Sequence, residues 1–332
     1  MDSLTQIVLG AAVGEAVLGR KVGNKAMLYG AIAGTIPDLD ILSSHFTDTV
    51  TAIHIHRGFT HSILFAVLFG ALFGWLVSRY ETYKNFKGWF LLFFLAFVTH
   101  PILDAHTTWG TQLFWPFDLR LAFKSIFVID PVYTLPFLVF LILAMVQKRT
   151  SEKRRFYNNL GLVVSSSYLM LTIILKGVAY TQFQLALKNQ DINYLQLDTR
   201  PSPLNTILWS ANVETENAYL LGNYSFFDTQ PIAFQSYPKN HELLGNLLEN
   251  EKVKLMISIS EGWFTITKKN DQLYFNDLRF GLLSLEPQSQ SFVFQYKIDV
   301  DNFGNVIFTE APKDTRDGKK LLSDLWQRLK GN

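Results

Sequence analysis

The chain has 332 residues, of which 48% are hydrophobic and 17% charged; its net charge is +2, and it has 28 Phe and no cysteine. A near-neutral balance with no basic stripe among aromatics excludes a nucleic-acid partner. The lack of cysteine excludes disulfides, thiolate metal sites and thiol catalysis. The first six residues, Met1-Asp-Ser-Leu-Thr-Gln6, show no basic n-region or cleavage site, so they read as mature sequence.

Apolar runs crowd the first 180 residues. Two Gly- and Ala-rich segments, roughly 4–19 and 26–43, come first. Gly10 and Gly14 are four apart, as are Gly30 and Gly34, a spacing that suits close helix approach in a membrane. Pro37 disfavours helix at Ile36, so the second segment is expected to end early. The pair is read as two crossings or as one re-entrant hairpin. Four stronger segments follow at 61–79, 88–105, 130–147 and 158–178, each near the ~20 residues that span a bilayer. The expected fold class is therefore a polytopic α-helical membrane domain of about six segments over residues 1–180.

Charge then orients the segments. The short loops at 20–25, 79–88 and 147–157 hold eleven Lys and Arg residues, while loop 44–60 holds Arg57 and the longer loop 105–130 holds Arg120 and Lys124. Basic loops stay in the cytoplasm. The expectation is an N-terminus, loops 44–60 and 105–130, and a C-terminal region that all lie outside it.

Six of the seven histidines fall between positions 45 and 106, at the edges of apolar runs. The orientation above brings Asp38, Asp40, His56, His61, His100 and Asp104 to one side, and these are the expected metal ligands. His100 and Asp104, four apart on a helix, share a face. Asp38 and Asp40 share a side if Pro37 forces an extended stretch. Thr60 is expected to cap the third helix, with His61 in its first turn. Histidine and aspartate without thiolate suit zinc first, then manganese or iron, as one ion or two. Arg57 would clamp a phosphate oxygen, and His106 would carry protons or support a ligand; these two are the expected catalytic groups. His45 and His54 rank lower as ligands. A single histidine at a membrane helix end is more often a hydrogen-bonding residue. It is the convergence of several, with Asp inside an apolar segment, that favours a site. Glu15 is expected to face the bundle interior, and Trp109, Trp115 and Tyr133 to anchor at the interface.

The opening six residues, Gly10-Ala-Ala-Val-Gly-Glu15, Pro37-Asp-Leu-Asp40, His56-Arg-Gly-Phe-Thr-His61-Ser and His100-Pro-Ile-Leu-Asp104 together resemble the YdjM-type family of membrane-bound proteins named as metal-dependent hydrolases. The resemblance covers about the first 180 residues and implies hydrolase activity. More distantly, the order Asp, His, His-x-x-x-Asp is similar to that of bacterial zinc phospholipases C. That similarity implies ligands at Asp40 or Asp38, at His61 or His56, and at His100 and Asp104. Gln6 departs from the histidine of some family members, and His106 is the one nearby candidate for the later phospholipase ligands.

From residue 181 onward the pattern becomes that of an α+β, mostly antiparallel soluble domain. Strands are expected at 206–213, 219–227, 254–259, 263–267, 272–275, 291–300 and 306–308, and an amphipathic helix at 318–330. The combined expectation is a bacterial inner-membrane metal-dependent hydrolase. It would act on a phosphoester of a lipid or lipid-linked substrate at the outer membrane face, with the bilayer as its partner. The alternative is a non-enzymatic membrane metal-binding or transport protein.

Overall fold

The computed structural model describes residues 1–286, 289–313 and 318–332. The chain forms two compact units. One comprises Met1–Leu42, Ile55–Leu175 and Pro203–Asn205; the other comprises Ser43–His54, Lys176–Ser202 and Thr206–Asn332.

The first unit is helical. Asp2 caps α1 (Ser3–Val22), its carboxylate accepting from the Thr5 backbone N–H. Gly23, at φ +66°, breaks the helix, and α2 (Asn24–Thr35) runs back along it. The glycines let the two backbones meet: a Cβ at Gly10 would collide with the Gly30 carbonyl, and one at Gly34 with the Gln6 carbonyl. The glycine spacing therefore does what the sequence suggested. α2 stops before Pro37, as expected, although Ile36 keeps helical angles. Its 12 residues rise about 18 Å, short of the ~30 Å hydrocarbon core.

Three further helices, α4 (Ile63–Tyr80), α5 (Phe86–Asp104) and α7 (Glu152–Asn189), are long and apolar enough to cross a membrane, and the apolar α6 (Pro131–Met145) is shorter. α7 has 38 residues, beginning before and ending after the expected 158–178, and rises about 57 Å. Trp89, Leu92, Phe93 and Phe97 of α5 are fully buried, and α5 packs against α1, α2 and α4. Tyr133, expected at the interface, is buried with them.

The bundle has two chemically distinct ends. At one end lie the finish of α1, the start of α2, the finish of α4 and the start of α7. There Lys25 pairs with Glu81 at 2.7 Å, Arg20 pairs with Glu152, and Arg149 reaches the Lys21 carbonyl at 3.3 Å. Glu15 faces inward, as expected, and the buried Arg154 guanidinium grips it from Nε at 2.6 Å and Nη2 at 2.5 Å. The opposite end holds the start of α1, the end of α2, the start of α4 and the end of α5, and so every candidate ligand of this unit.

The second unit is α+β. β1 (Gln196–Pro201), β2 (Leu208–Glu214), β3 (Ala218–Ser225) and β4 (Phe234–Pro238) form one antiparallel sheet in sequence order. β5 (Phe264–Lys269), β6 (Gln272–Leu282), β7 (Phe292–Val300) and β8 (Val306–Glu310) form a second. Asn270 and Asp271, both with positive φ, close the β5–β6 hairpin. The expected strand at 254–259 is instead helix α8 (Glu251–Ile259), because Asn250 caps it and Val253 and Met256 bury one face. β1 and β4 were not anticipated. α9 (Gly318–Leu329) matches the expected terminal helix. Val50 of α3 (Thr49–Ile55) is buried in this unit's core with Leu244, Phe275 and Phe308.

Candidate metal centre

Four side chains converge. Among the described residues, Asp38, His61, His100 and Asp104 each offer one ligand atom, and all four atoms lie within 4.8 Å of one another. His61 and His100 present Nε2 to Nε2 at 3.1 Å. Asp104 Oδ2 lies 3.3 Å from His100 Nε2 and 3.4 Å from His61 Nε2, and Asp38 Oδ1 lies 3.5 and 3.3 Å from the same two atoms. His61, His100 and Asp104 are buried, and Asp38 is partly open to solvent.

Local structure explains the convergence. The one-turn spacing on α5 stacks His100 over Asp104, as the sequence implied. A 3-10 helix, Pro37–His45, presents Asp38; this corrects the extended stretch expected there. His61 ends a 3-10 turn, Phe59–His61, and the cap of α4 is Ser62 instead of Thr60, its hydroxyl accepting from Phe65 N at 3.0 Å.

The second ring nitrogens fix the tautomers. His100 Nδ1 lies 2.8 Å from the Gly34 carbonyl, which can only accept, so Nδ1 carries the proton. A neutral His100 ring then turns the Nε2 lone pair inward. His61 Nδ1 faces Thr60 Oγ1 at 3.0 Å and Asp40 Oδ2 at 3.4 Å, which sets it up the same way. Two lone pairs at 3.1 Å repel unless a cation lies between them. The Asp104 carboxylate has no hydrogen bond of normal geometry on either buried oxygen; its neighbours are the two imidazoles, Arg57 Nη2 at 3.4 Å and the Met1 amino nitrogen. A buried carboxylate left this way is costly. The donor set therefore fits a divalent cation, with two imidazole nitrogens and two carboxylates and no thiolate.

The other two expected ligands form an adjoining pair. Asp40 takes His56 Nδ1 at 2.8 Å on one oxygen, and on the other Arg57 N and Thr60 Oγ1, each at 2.9 Å. It thus stands behind His61, the position of a carboxylate that orients a metal-bound imidazole. Burial holds the His56 imidazole below its ordinary pKa, against the pull of Asp40, and its ring edges onto Trp109 at 5.6 Å.

Arg57 adopts φ +58°, unusual for a side chain with a Cβ. The turn buries its guanidinium, with Nη1 on Thr107 Oγ1 at 2.9 Å and Nε without a partner. Burial lowers its pKa to about 10 against the pull of Asp38 and Asp40, so it stays cationic at neutral pH. His106 is not in the cluster; its Nδ1 donates to the Ile102 carbonyl at 2.9 Å and its ring packs on Phe123. His45 and His54 belong to the second unit, where His241 Nε2 donates to the Phe264 carbonyl at 3.0 Å.

Gly34, Thr60 and Thr107 were not anticipated as supports. Gln6 was noted only as a departure; it is buried, and its Nε2 donates to the His100 carbonyl at 3.3 Å. A polar residue at a buried position of an apolar helix was the available signal.

The first 180 residues match the sequence pattern of the YdjM inner membrane protein family. Inner membrane protein YbcI of Escherichia coli (strain K12) is 33% identical over 99 residues, which is 30% of this chain and 57% of that protein. Uncharacterized protein YfhP of Bacillus subtilis (strain 168) is 30% identical over 139 residues, or 40% of this chain and 42% of that protein. The chain thus spans about half the length of these curated relatives. No solved structure matches. With its matched region taking in both the helical bundle and all four converging ligands, the chain belongs to the YdjM inner membrane protein family.

Proposed function

We propose that this protein is a membrane-bound metal-dependent hydrolase that cleaves a phosphoester of a lipid or lipid-linked substrate. The observation that carries the reading is the pair of inward Nε2 atoms at 3.1 Å beside the buried Asp104 carboxylate, neither of whose oxygens has a hydrogen bond of normal geometry. Asp38, His61, His100 and Asp104 would hold the ion, zinc first by donor chemistry, with manganese or iron as alternatives. When bound, a divalent cation lowers the pKa of a coordinated water toward ~7 and so supplies a nucleophile at neutral pH.

The chain's own groups do the rest. Arg57, with Nε free and its charge retained, would bind and orient a phosphate oxygen; guanidinium suits this task by geometry. Asp40 holds the His61 ring through Nδ1. His56, whose ring hydrogen-bonds Asp40 and lies 6.2 Å from that of His61, is a better proton carrier than His106, which bonds the Ile102 carbonyl. Asp38, the most exposed of the four, marks the side from which substrate reaches the site.

Position favours a lipid. The cluster sits at one end of an apolar bundle whose opposite end carries the basic pairs, so the basic end would be cytoplasmic and the cluster would face the outer leaflet. The C-terminal α+β unit would then lie outside the cytoplasm.

The test uses detergent-purified full chain: metal content of wild type beside His100→Ala and Asp104→Ala, then phosphoester hydrolysis of phospholipids and lipid phosphates in mixed micelles. Near-stoichiometric metal lost in both variants, together with metal-dependent turnover, is the expected result. No metal after reconstitution with zinc, manganese or iron overturns the reading. Stoichiometric metal without turnover of any such substrate favours a non-enzymatic metal-binding or transport protein.

A further inference from the structure

The segment between α5 and α6 contains a hairpin with two unlike ends. At its base, Thr111 and Leu121 exchange backbone hydrogen bonds of 2.9 and 2.8 Å. The same base grips the site: Gln112 N donates to the Arg57 carbonyl at 3.0 Å, and both terminal nitrogens of Arg120 donate to the His56 carbonyl at 3.2 Å. The tip is apolar and open. Phe117 is 73% exposed, Leu119 51%, Phe114 45% and Trp115 38%. The single charge there, Asp118, is tied back to Gln112 Nε2 at 3.0 Å.

We propose that this hairpin is seated in the bilayer, its tip covered by lipid acyl chains while its base fixes Arg57 and His56. A contiguous aromatic and aliphatic surface of this kind is rarely left to water. Continuity identifies the occupant. Leu113 O accepts from Ile63 N at 3.0 Å, so the tip extends directly from the start of α4. There Leu64, Val67 and Leu68 are also exposed, on a helix long and apolar enough to span a membrane. A Phe-Trp-Pro-Phe sequence at that depth has the composition of a membrane–water interface. The seating would fix the turn at Arg57 by way of the leaflet, whatever reaction the site performs, so it stands apart from the hydrolase reading.

The chain has no cysteine, so single-cysteine labels report single positions. Phe117→Cys and Leu119→Cys would carry a nitroxide in full-length protein in phospholipid nanodiscs, beside Leu68→Cys on α4 and Asn302→Cys in the β7–β8 turn. Both tip positions are exposed, so substitution leaves buried packing untouched. The expected result is collision with oxygen exceeding collision with a water-soluble nickel chelate at both tip positions, as at Leu68. Nickel collision exceeding oxygen collision at both, as at Asn302, overturns the proposal and assigns the tip to water; a split result, with only one position favouring oxygen, also overturns it as stated.

Discussion

The Nε2 atoms of His61 and His100 face each other at 3.1 Å, with the Nδ1 of each ring engaged behind it by Asp40 and Gly34 respectively. Neither ring can turn away without giving up its rear partner. The pair is thus preorganised with both lone pairs directed at one point, and the two flanking carboxylates supply the charge for a cation.

That geometry separates ligands from supports. His61→Ala is expected to abolish metal retention. Asp40→Asn should keep stoichiometry at saturating metal while weakening affinity about 10–100-fold, as loss of an outer carboxylate typically does. Competition against a chelator of known affinity distinguishes the two. If Asp40→Asn empties as completely as His61→Ala, Asp40 is itself a ligand.

Arg57 belongs to substrate recognition in the proposed reaction. Arg57→Lys keeps the charge but loses the planar donor fork, and a kcat/KM lower by roughly 100-fold with metal content unchanged is expected on a phosphoester substrate. Equal loss of metal in this variant would show that the guanidinium serves Asp104, 3.4 Å away, instead of substrate.

The legibility of the site from sequence was uneven, for local reasons. His100 and Asp104 followed from helical spacing alone, and the basic loops sorted the bundle's ends. The division of labour between Asp38 and Asp40 did not follow, because it depends on residues 37–45 winding as a 3-10 helix. An extended stretch would have set both carboxylates on one side. Thr60 has the composition of a cap, but the 3-10 turn turns its hydroxyl toward Asp40 and leaves capping to Ser62. In the second unit, β1 reads Gln-Leu-Asp-Thr-Arg-Pro and buries Thr199 and Arg200, so no apolar alternation announced it. Residues 254–259, Lys-Leu-Met-Ile-Ser-Ile, have strand composition, and the Asn250 cap together with the buried face at Val253 and Met256 makes them helix instead.

Acidity should empty the site from the imidazole side. Metal and proton compete for the same Nε2 lone pairs. Occupancy at limiting metal is therefore expected to fall as the pH is lowered. Equilibrium dialysis over a pH series measures it; occupancy that does not change with pH would argue against histidine ligation.

The glycine contact between α1 and α2 supports the site at a distance. Gly30→Leu would push α2 off the Gly10 backbone and carry the Gly34 carbonyl away from His100 Nδ1. Overpacking of this kind costs about 1–3 kcal/mol. The variant should show both a lower thermal midpoint and weakened metal binding. Gly177→Leu on α7, where an added Cβ meets nothing within 4 Å, should change neither.

At the far end of the bundle, Glu15 and Arg154 form a buried two-pronged ion pair, and Arg154 Nη1 also holds Asn24 Oδ1 at 2.7 Å and the Gln147 carbonyl at 3.1 Å. Removing one partner leaves the other charge buried and uncompensated, which costs about 3–5 kcal/mol. Glu15→Leu alone should therefore destabilise strongly, whereas Glu15→Leu combined with Arg154→Met should recover a large part of the loss, because two apolar side chains need no compensation. Thermal unfolding of the two singles and the double in one detergent completes the cycle. Strict additivity would show that the pair contributes nothing beyond its separate contacts. Metal content should be unchanged in all three, since the pair lies at the opposite end of α1 from the cluster.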